Sequence, residues 1–85
     1  MQIIDVRSKK EYTVGHIESA NHLFLGTLID NLDKVSTRKT VVIYCQSGDR
    51  ASIAYSLLRS AGFESLKNYA GGINDWLANG NTISR

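Results

Sequence analysis

The stretch VVIYCQSGDRASIAYSLLRSAG, residues 41–62, holds the only cysteine of the chain, Cys45. Residues 40–44 are a run of β-branched and aromatic side chains, which is typical of a strand covered on both faces. After Arg50, apolar residues recur with helical spacing, at Ala51, Ala54, Leu57, Leu58 and Ala61. Gly62 follows as a candidate C-terminal cap. The stretch therefore predicts a strand, a short loop and a helix, with Cys45 at the carboxyl end of the strand.

Outside this stretch, strand-like and helix-like segments alternate along the chain. Further strands are predicted at residues 3–6, 22–25 and 65–69. Ser8 and Glu11 form a candidate capping box for a first short helix, which Gly15 ends. Thr27 is a candidate cap for a second helix, whose apolar residues Leu28, Ile29, Leu32 and Val35 lie on one face. A last helix, with Ile73, Trp76 and Leu77 on one face, is predicted to end at Gly80.

This alternation predicts the fold class. Strands and helices joined by short links indicate βαβ units, which place helices on both faces of a parallel sheet. We therefore expect an α/β protein with three layers, α/β/α, around a mainly parallel sheet of about four strands. With 85 residues and no linker-like segment, residues 1–85 are expected to form a single domain.

Composition excludes several classes of protein. A single cysteine cannot form an internal disulfide, and the amino terminus lacks the pattern of a signal peptide. No apolar stretch approaches the roughly 20 residues that cross a bilayer. The net charge of +2 is small, and the basic pairs Lys9-Lys10 and Arg38-Lys39 are expected to be solvated surface. We therefore expect a cytoplasmic monomer that binds neither nucleic acid nor membrane.

The position of Cys45 indicates chemistry. Ligands of open parallel sheets bind beyond the carboxyl ends of the strands, where Cys45 is expected to lie. Gly48 permits a positive φ, and backbone N–H groups of such a loop converge on an anion together with the helix N-terminus near Arg50. Such a cradle favours the thiolate, which is the nucleophilic form. The alternative is that Cys45 is only a small buried apolar residue, which does not account for the loop.

Other residues with reactive side chains give weaker signals. Asp5 and Arg7 have two possible roles. They could lie at the rim of the site, but we prefer a structural role in which Arg7 pairs with Glu11 or another acid and fixes a loop. His16 and His22 have no third ligand at metal spacing, so no metal site is expected. Neither histidine is positioned as a general base for the thiol. Two further assignments are Trp76 to the core and residues 69–72 to the lining of the pocket.

Three separated segments together resemble the single-domain rhodaneses, the thiosulfate sulfurtransferase-like family. They are IIDVRSKKEYTVGHIESA (residues 3–20), VVIYCQSGDRAS (residues 41–52) and YAGGINDW (residues 69–76). Family members usually have glycine where this chain has Ser19. Larger members also begin with an extra strand and helix before the first segment, so the resemblance implies a compact form with four main strands.

The resemblance implies the roles of the loop residues. Cys45 would be the nucleophile that carries the transferred sulfur as a persulfide. The backbone N–H groups of the loop would hold that sulfur, and the substrate-binding residues would be Gln46, Ser47, Gly48, Asp49 and Arg50. Arg50 would also attract an anionic donor, whereas the side chain of Asp49 is expected to point outward or to pair with a base.

The expected activity is that of a sulfurtransferase. The chain would take a sulfane sulfur from thiosulfate or a persulfide and pass it to cyanide or a thiol, with no cofactor. An alternative is a sulfur-relay or interaction module that works with a sulfur-carrier protein. A phosphatase or arsenate reductase is less favoured, because those relatives have one more residue than the four between Cys45 and Arg50.

Overall fold

The computed structural model describes residues 1–85 and confirms the α/β class. The strands are β1 (Gln2–Asp5), β2 (Asn21–His22), β3 (Val41–Tyr44) and β4 (Leu66–Asn68). The α-helices are α1 (Lys9–Val14), α2 (Asp49–Ser60) and α3 (Gly72–Ala78). None of these helices has the length and apolar character that crossing a membrane requires.

The four strands form one parallel sheet in the order β2-β1-β3-β4. The two central strands pair over their whole length, from Gln2 opposite Val41 to Asp5 opposite Tyr44. Because the strands are parallel, their carboxyl ends meet at one edge of the sheet. Cys45, the residue after β3, lies at that edge, as the sequence predicts.

Each face of the sheet is covered by a separate apolar cluster. On one face, alternate residues of the central strands meet α2 and the segment before β3, in a cluster that includes Ile4, Val6, Val41, Ile43, Cys45, Leu28, Ala51, Ala54 and Leu58. On the other face, Ile17, Ala20, Tyr44 and Ile73 are buried, with Tyr12 and Trp76 packed against them. The predicted three-layer arrangement is therefore confirmed. Trp76, predicted to be a core residue, packs against this cluster but is only partly buried.

Two predicted elements are wrong. The second strand ends at His22 and does not extend to residue 25, because its partner β1 ends at Asp5. Beyond Asp5, only isolated backbone hydrogen bonds link the two segments, such as the one from the Leu25 N–H to the Val6 carbonyl at 3.0 Å. In place of a helix capped by Thr27, the chain forms two 3₁₀ segments, Leu25–Thr27 and Ile29–Lys34.

Side-chain competition accounts for the missing helix. Asn31 has φ −123°, outside the helical region, and its Nδ2 donates to the Thr27 carbonyl at 2.8 Å. A side chain that bonds the backbone in this way offers an alternative to the helical ladder. The Thr27 hydroxyl makes only a 3.4 Å bond to the Phe24 carbonyl and caps nothing. Leu28 and Val35 are still buried, whereas Ile29 is exposed.

Candidate active site

The thiol of Cys45 lies beneath the start of α2. The residue is only 1% exposed. Its Sγ accepts a hydrogen bond from the Gly48 N–H at 3.0 Å and a longer one from the Ala51 N–H at 3.4 Å. Two backbone donors therefore point at the sulfur from the loop and from the first turn of the helix, and both favour negative charge on it.

Further donors of the same loop are free. The backbone N–H groups of Gln46, Ser47, Asp49 and Arg50 donate to no acceptor in the protein. Two of these belong to the first turn of α2, where N–H groups have no partner inside the helix. Successive unpaired N–H groups in a short loop form a site for an anion.

Gly48 is required at its position for two reasons. Its φ of +108° is in the left-handed region, which disfavours residues with a side chain. A Cβ on Gly48 would also lie 2.5 Å from the Ala70 carbonyl oxygen. The positive φ expected from the sequence is thus confirmed, and Ala70 is shown to pack against the loop.

Helix α3 orients the peptide groups that follow the thiol. The Ile73 N–H donates to the Cys45 carbonyl at 3.0 Å, and the Asn74 N–H donates to the Gln46 carbonyl at 3.2 Å. In a trans peptide the C=O and the next N–H point in opposite directions. The N–H groups of Gln46 and Ser47 therefore point away from α3. Residues 69–72, which were predicted to line the pocket, therefore support the loop from behind.

Gly72 allows this close approach of α3. Its φ is +58°, and a Cβ would lie 2.5 Å from the Gln46 carbonyl oxygen and closer still to the Cys45 carbonyl oxygen. The Gln46 and Asn74 side chains add a bond of 3.2 Å across the same contact. The segment YAGGINDW therefore positions the cysteine loop through two backbone hydrogen bonds and one side-chain hydrogen bond.

Arg50 forms a two-bonded ion pair with Glu11 of α1. Its Nη1 and Nη2 donate to Oε1 and Oε2 at 2.6 and 3.0 Å. The predicted capping box is confirmed, because the Ser8 N–H donates to Glu11 Oε1 and the Glu11 N–H donates to the Ser8 hydroxyl oxygen, both at 3.2 Å. The Arg50 hydrogen bonds, followed by those from Ser8, lower the pKa of Glu11 to about 2. This contact could not be predicted from the sequence, since no local pattern links residues on separate helices.

Arg7 pairs with Asp5, the "other acid" that the sequence left open. Its Nη2 lies 2.8 Å from Asp5 Oδ2 and also donates to the Gly15 carbonyl at 2.6 Å. The Tyr44 hydroxyl donates to the same carboxylate at 2.6 Å, and it accepts from the Ile17 N–H at 3.0 Å. Burial, with the hydrogen bond to Asp5, raises the pKa of Tyr44. These groups support the rim of the site and are themselves buried.

The remaining candidates lie outside the cradle. Asp49 is exposed and makes no ion pair, so its side chain points outward as expected. His16 and His22 both stack on the Tyr12 ring, at centroid distances of 3.8 and 4.8 Å, and neither bonds to Cys45. No group of three or more His, Cys, Asp or Glu side chains is arranged to hold a metal ion.

Comparison with known proteins identifies the family. The family model described as a rhodanese-like domain matches residues 1–79. The crystal structure of the Rhodanese_3-like domain of the Alr3790 protein from Anabaena superposes with a TM-score of 0.92 at 31% identity, covering 100% of this chain and 99% of that one. The chain belongs to the rhodanese-like domain family, as its three signature segments imply.

Two curated relatives are longer than this chain. "Uncharacterized protein YqhL" of Bacillus subtilis is 36% identical over 75 residues, which are 88% of this chain and 60% of that protein. A probable adenylyltransferase/sulfurtransferase of Mycobacterium tuberculosis, MoeZ, is 34% identical over 79 residues, which are 89% of this chain and 20% of that protein. This rhodanese domain is therefore related to domains that occur within larger proteins.

Proposed function

We propose that this chain is a sulfurtransferase that carries a sulfane sulfur on Cys45. The observation that carries the proposal is the set of loop N–H groups around the thiol, of which two already bond to Sγ and four have no protein acceptor. Such donors stabilise negative charge both on the thiolate and on a sulfur attached to it. Cys45 is the proposed nucleophile, and the backbone of residues 46–50 is the proposed binding site for the transferred atom.

The first half of the reaction uses thiosulfate or a persulfide as donor. The Cys45 thiolate attacks the outer sulfur of thiosulfate, the S–S bond of the donor breaks, and sulfite leaves with the bonding electron pair. The enzyme then holds a persulfide anion within reach of the free N–H groups. In the second half, cyanide or a thiolate attacks the outer sulfur, and the electron pair returns to Cys45.

The test is the intact mass of the protein after incubation with thiosulfate and removal of the excess. We expect a gain of one sulfur atom, which cyanide then removes as thiocyanate. Cys45→Ser should show neither change while keeping its thermal unfolding close to that of the parent, because the two side chains are nearly equal in size. A parent protein that gains no sulfur under these conditions contradicts the proposal.

A second candidate is a sulfur relay to a protein partner. It is supported by the similarity to MoeZ and to the adenylyltransferase and sulfurtransferase uba4 of Ogataea parapolymorpha, in which the match covers 19% of the protein. In a relay, the persulfide would pass to a carrier protein, and turnover of small acceptors would be incidental. Slow discharge of the Cys45 persulfide by every small acceptor tried would favour this candidate.

Loop length weighs against the less favoured phosphatase and arsenate reductase. Relatives with those activities have one more residue than the four between Cys45 and Arg50, and the shorter loop leaves less room for a tetrahedral oxyanion than for one sulfur atom. We therefore expect no appreciable hydrolysis of an aryl phosphate.

A further inference from the structure

A chain of two side-chain hydrogen bonds links β4 to the cysteine loop through α2. Asn68, the last residue of β4, donates from Nδ2 to the Ser52 hydroxyl oxygen at 3.1 Å. The Ser52 hydroxyl in turn donates to the Gly48 carbonyl at 2.9 Å, and the Ser52 N–H donates to the same carbonyl at 3.0 Å. The Gly48 carbonyl therefore receives two donors from one residue.

This chain of bonds has a defined direction. A hydroxyl has a single proton, so a Ser52 hydroxyl that donates to Gly48 can only accept from Asn68. The opposite orientation of the Asn68 amide would draw that proton away from the Gly48 carbonyl and would leave one bond where the structure has two. Consecutive hydrogen bonds polarise one another. The Asn68 amide therefore strengthens the bond from Ser52 to Gly48.

The arrangement has a cost that local stability does not explain. The Asn68 Oδ1 atom is buried and has no hydrogen-bond partner. An unpaired buried oxygen destabilises a fold, and native structures contain few of them. The helix does not need the Ser52 hydroxyl either, because the Ser52 N–H already makes the ordinary helical bond to the same carbonyl. A functional use of the chain of bonds would account for both features.

The Gly48 carbonyl sets the direction of one donor of the cradle. It belongs to the same peptide group as the Asp49 N–H, and in a trans peptide the two point in opposite directions. The Asp49 N–H therefore points away from Ser52, and it is one of the four loop N–H groups without a protein acceptor. A hydrogen bond to the carbonyl also draws electrons from the peptide nitrogen, which makes the N–H a stronger donor.

We propose that Ser52 is a positioning residue for sulfur transfer, and that Asn68 acts through it. Ser52 fixes and polarises the peptide group between Gly48 and Asp49, so that the Asp49 N–H stabilises the outer sulfur of the Cys45 persulfide. The assignment rests on the proposed sulfur transfer. The two N–H groups that already bond to Sγ are separate from this peptide N–H. The chain of bonds therefore favours the persulfide over the thiolate.

The exchange equilibrium with thiosulfate tests the proposal. Thiosulfate and the Cys45 thiolate form the persulfide and sulfite, so the thiosulfate-to-sulfite ratio at which half of the protein gains one sulfur measures the stability of the persulfide. Intact mass gives the loaded fraction directly. Ser52→Ala should need a ratio about two- to tenfold higher than the parent, as expected for the loss of one hydrogen bond. A change smaller than about twofold overturns the proposal.

Matched variants separate positioning from a general effect on α2. Ser56→Ala makes the same substitution one turn later, at an exposed serine whose hydroxyl, unlike that of Ser52, makes no hydrogen bond, and should leave the ratio unchanged. Ser52→Thr keeps a hydroxyl that can bond to the same carbonyl and should restore the parent ratio. Equal shifts in Ser52→Ala and Ser56→Ala, or in Ser52→Ala and Ser52→Thr, would contradict the role of the hydroxyl.

A double-mutant cycle tests the part played by Asn68. Asn68→Leu has a similar volume and removes the donor to Ser52. It should therefore raise the ratio about twofold in the parent and leave it unchanged in Ser52→Ala. Equal effects in the two backgrounds would show that Asn68 does not act through Ser52.

The amide resonance of Asp49 keeps this proposal distinguishable from the proposed function, because its measurement needs no sulfur transfer. Loss of the hydroxyl bond to the Gly48 carbonyl should move the Asp49 amide nitrogen to lower frequency in Ser52→Ala, and Ser52→Thr should return it toward the parent. An unmoved resonance overturns the positioning role even if thiosulfate forms the persulfide. Conversely, a resonance that moves as expected in a protein that gains no sulfur overturns the proposed function, and with it the use of this peptide group in sulfur transfer.

Discussion

Glu11 has two structural roles, a capping box with Ser8 and an ion pair with Arg50, and only the first can be predicted from the sequence. Its spacing from Ser8 predicts the capping box, since both partners lie within one helical turn. Its bond to Arg50 joins residues 39 positions apart and depends on how α1 and α2 lie across the sheet edge. Cys45 and Gly48 could be predicted because strand, loop and helix follow one another locally. The ion pair could not, because no periodicity encodes the distance between two helices.

The Glu11–Arg50 pair predicts an acid-dependent part of the stability. The pKa of Glu11 is lowered from 4.5 in the unfolded chain to about 2, so the folded state favours the carboxylate. The contribution of the Glu11–Arg50 pair to the free energy of unfolding is complete above pH 4.5 and is lost as the pH falls toward 2. Glu11→Gln should lower the free energy of unfolding by about 0.5–1 kcal/mol at neutral pH, because the pair is partly exposed. Urea unfolding at several pH values measures this difference.

Glu18→Gln is the control for this experiment. Glu18 is exposed and forms no ion pair, so its replacement should change neither the stability at neutral pH nor its acid dependence. If the difference between the parent and Glu11→Gln persists unchanged at pH values well below 4.5, the ion pair is not its source.

Ser19 offers a stabilising substitution. It is the one residue other than glycine with a positive φ, +72°, at the position where the resemblance leads us to expect glycine. The left-handed region disfavours a residue with a Cβ by about 1–2 kcal/mol. Ser19→Gly should therefore raise the melting temperature, although the greater freedom of glycine in the unfolded chain offsets part of the gain. Ser19→Ala keeps the Cβ and should give no increase, and an equal rise in both variants would exclude relief of strain.

At the scale of elements, α3 serves the site by supporting the loop from behind. Its N-terminal N–H groups bond to the carbonyls of Cys45 and Gln46, so the helix fixes which way the peptide groups of the loop face. The sequence shows the helix through Ile73 and Trp76, and shows the break before it through the glycines. It does not show that Gly72 is required by the close approach of the Cys45 and Gln46 carbonyls, because that contact joins distant parts of the chain.

Gly72→Ala tests this support. The new Cβ would overlap the carbonyl oxygens of Cys45 and Gln46 in a residue with φ +58°. Gly80→Ala is the matched control, because Gly80 has φ +80° but nothing within 4 Å of its Cβ position. Both variants carry backbone strain, so the overlap should cost Gly72→Ala about 1–3 kcal/mol more in unfolding free energy. Only Gly72→Ala should also slow persulfide formation, and equal rates in the two variants would exclude the supporting role.

The segment before β3 shows the limit of pattern reading at this scale. Its apolar spacing predicts a helix capped by Thr27, and two of its apolar residues, Leu28 and Val35, are indeed buried. The Asn31 side chain bonds to the Thr27 carbonyl in competition with the helical ladder, and the segment becomes two 3₁₀ segments. Burial was thus predictable where the hydrogen-bonding pattern was not.

At the scale of the whole molecule, Asp5 connects parts of the chain that do not adjoin in sequence. Its carboxylate bonds to Arg7, which in turn bonds to the carbonyl of Gly15 at the end of α1. It also accepts from Tyr44 of β3, whose oxygen receives the Ile17 N–H. One buried acid therefore joins both central strands, α1 and the segment before β2.

Two substitutions rank the contributions of this network. Asp5→Asn leaves the buried guanidinium of Arg7 without a counter-charge and should cost about 3–5 kcal/mol. Tyr44→Phe removes one bond to Asp5 and leaves the Ile17 N–H without its acceptor, which should cost about 1–3 kcal/mol. Urea unfolding followed by circular dichroism measures both. A loss for Tyr44→Phe as large as that for Asp5→Asn would contradict the dominant role of the buried charge.

The parallel pairing of β1 with β3 has a consequence for synthesis on the ribosome. Asp5 and Tyr44 lie 39 residues apart, so the central pair forms only after a long loop has closed, and such non-local contacts form slowly. The contacts of α3 with the cysteine loop join residues still later in the chain, as in the bond between Gln46 and Asn74, 28 residues apart. A nascent chain released only as far as α2 would therefore expose Cys45 without its supporting helix, and the site would be completed only once α3 has emerged.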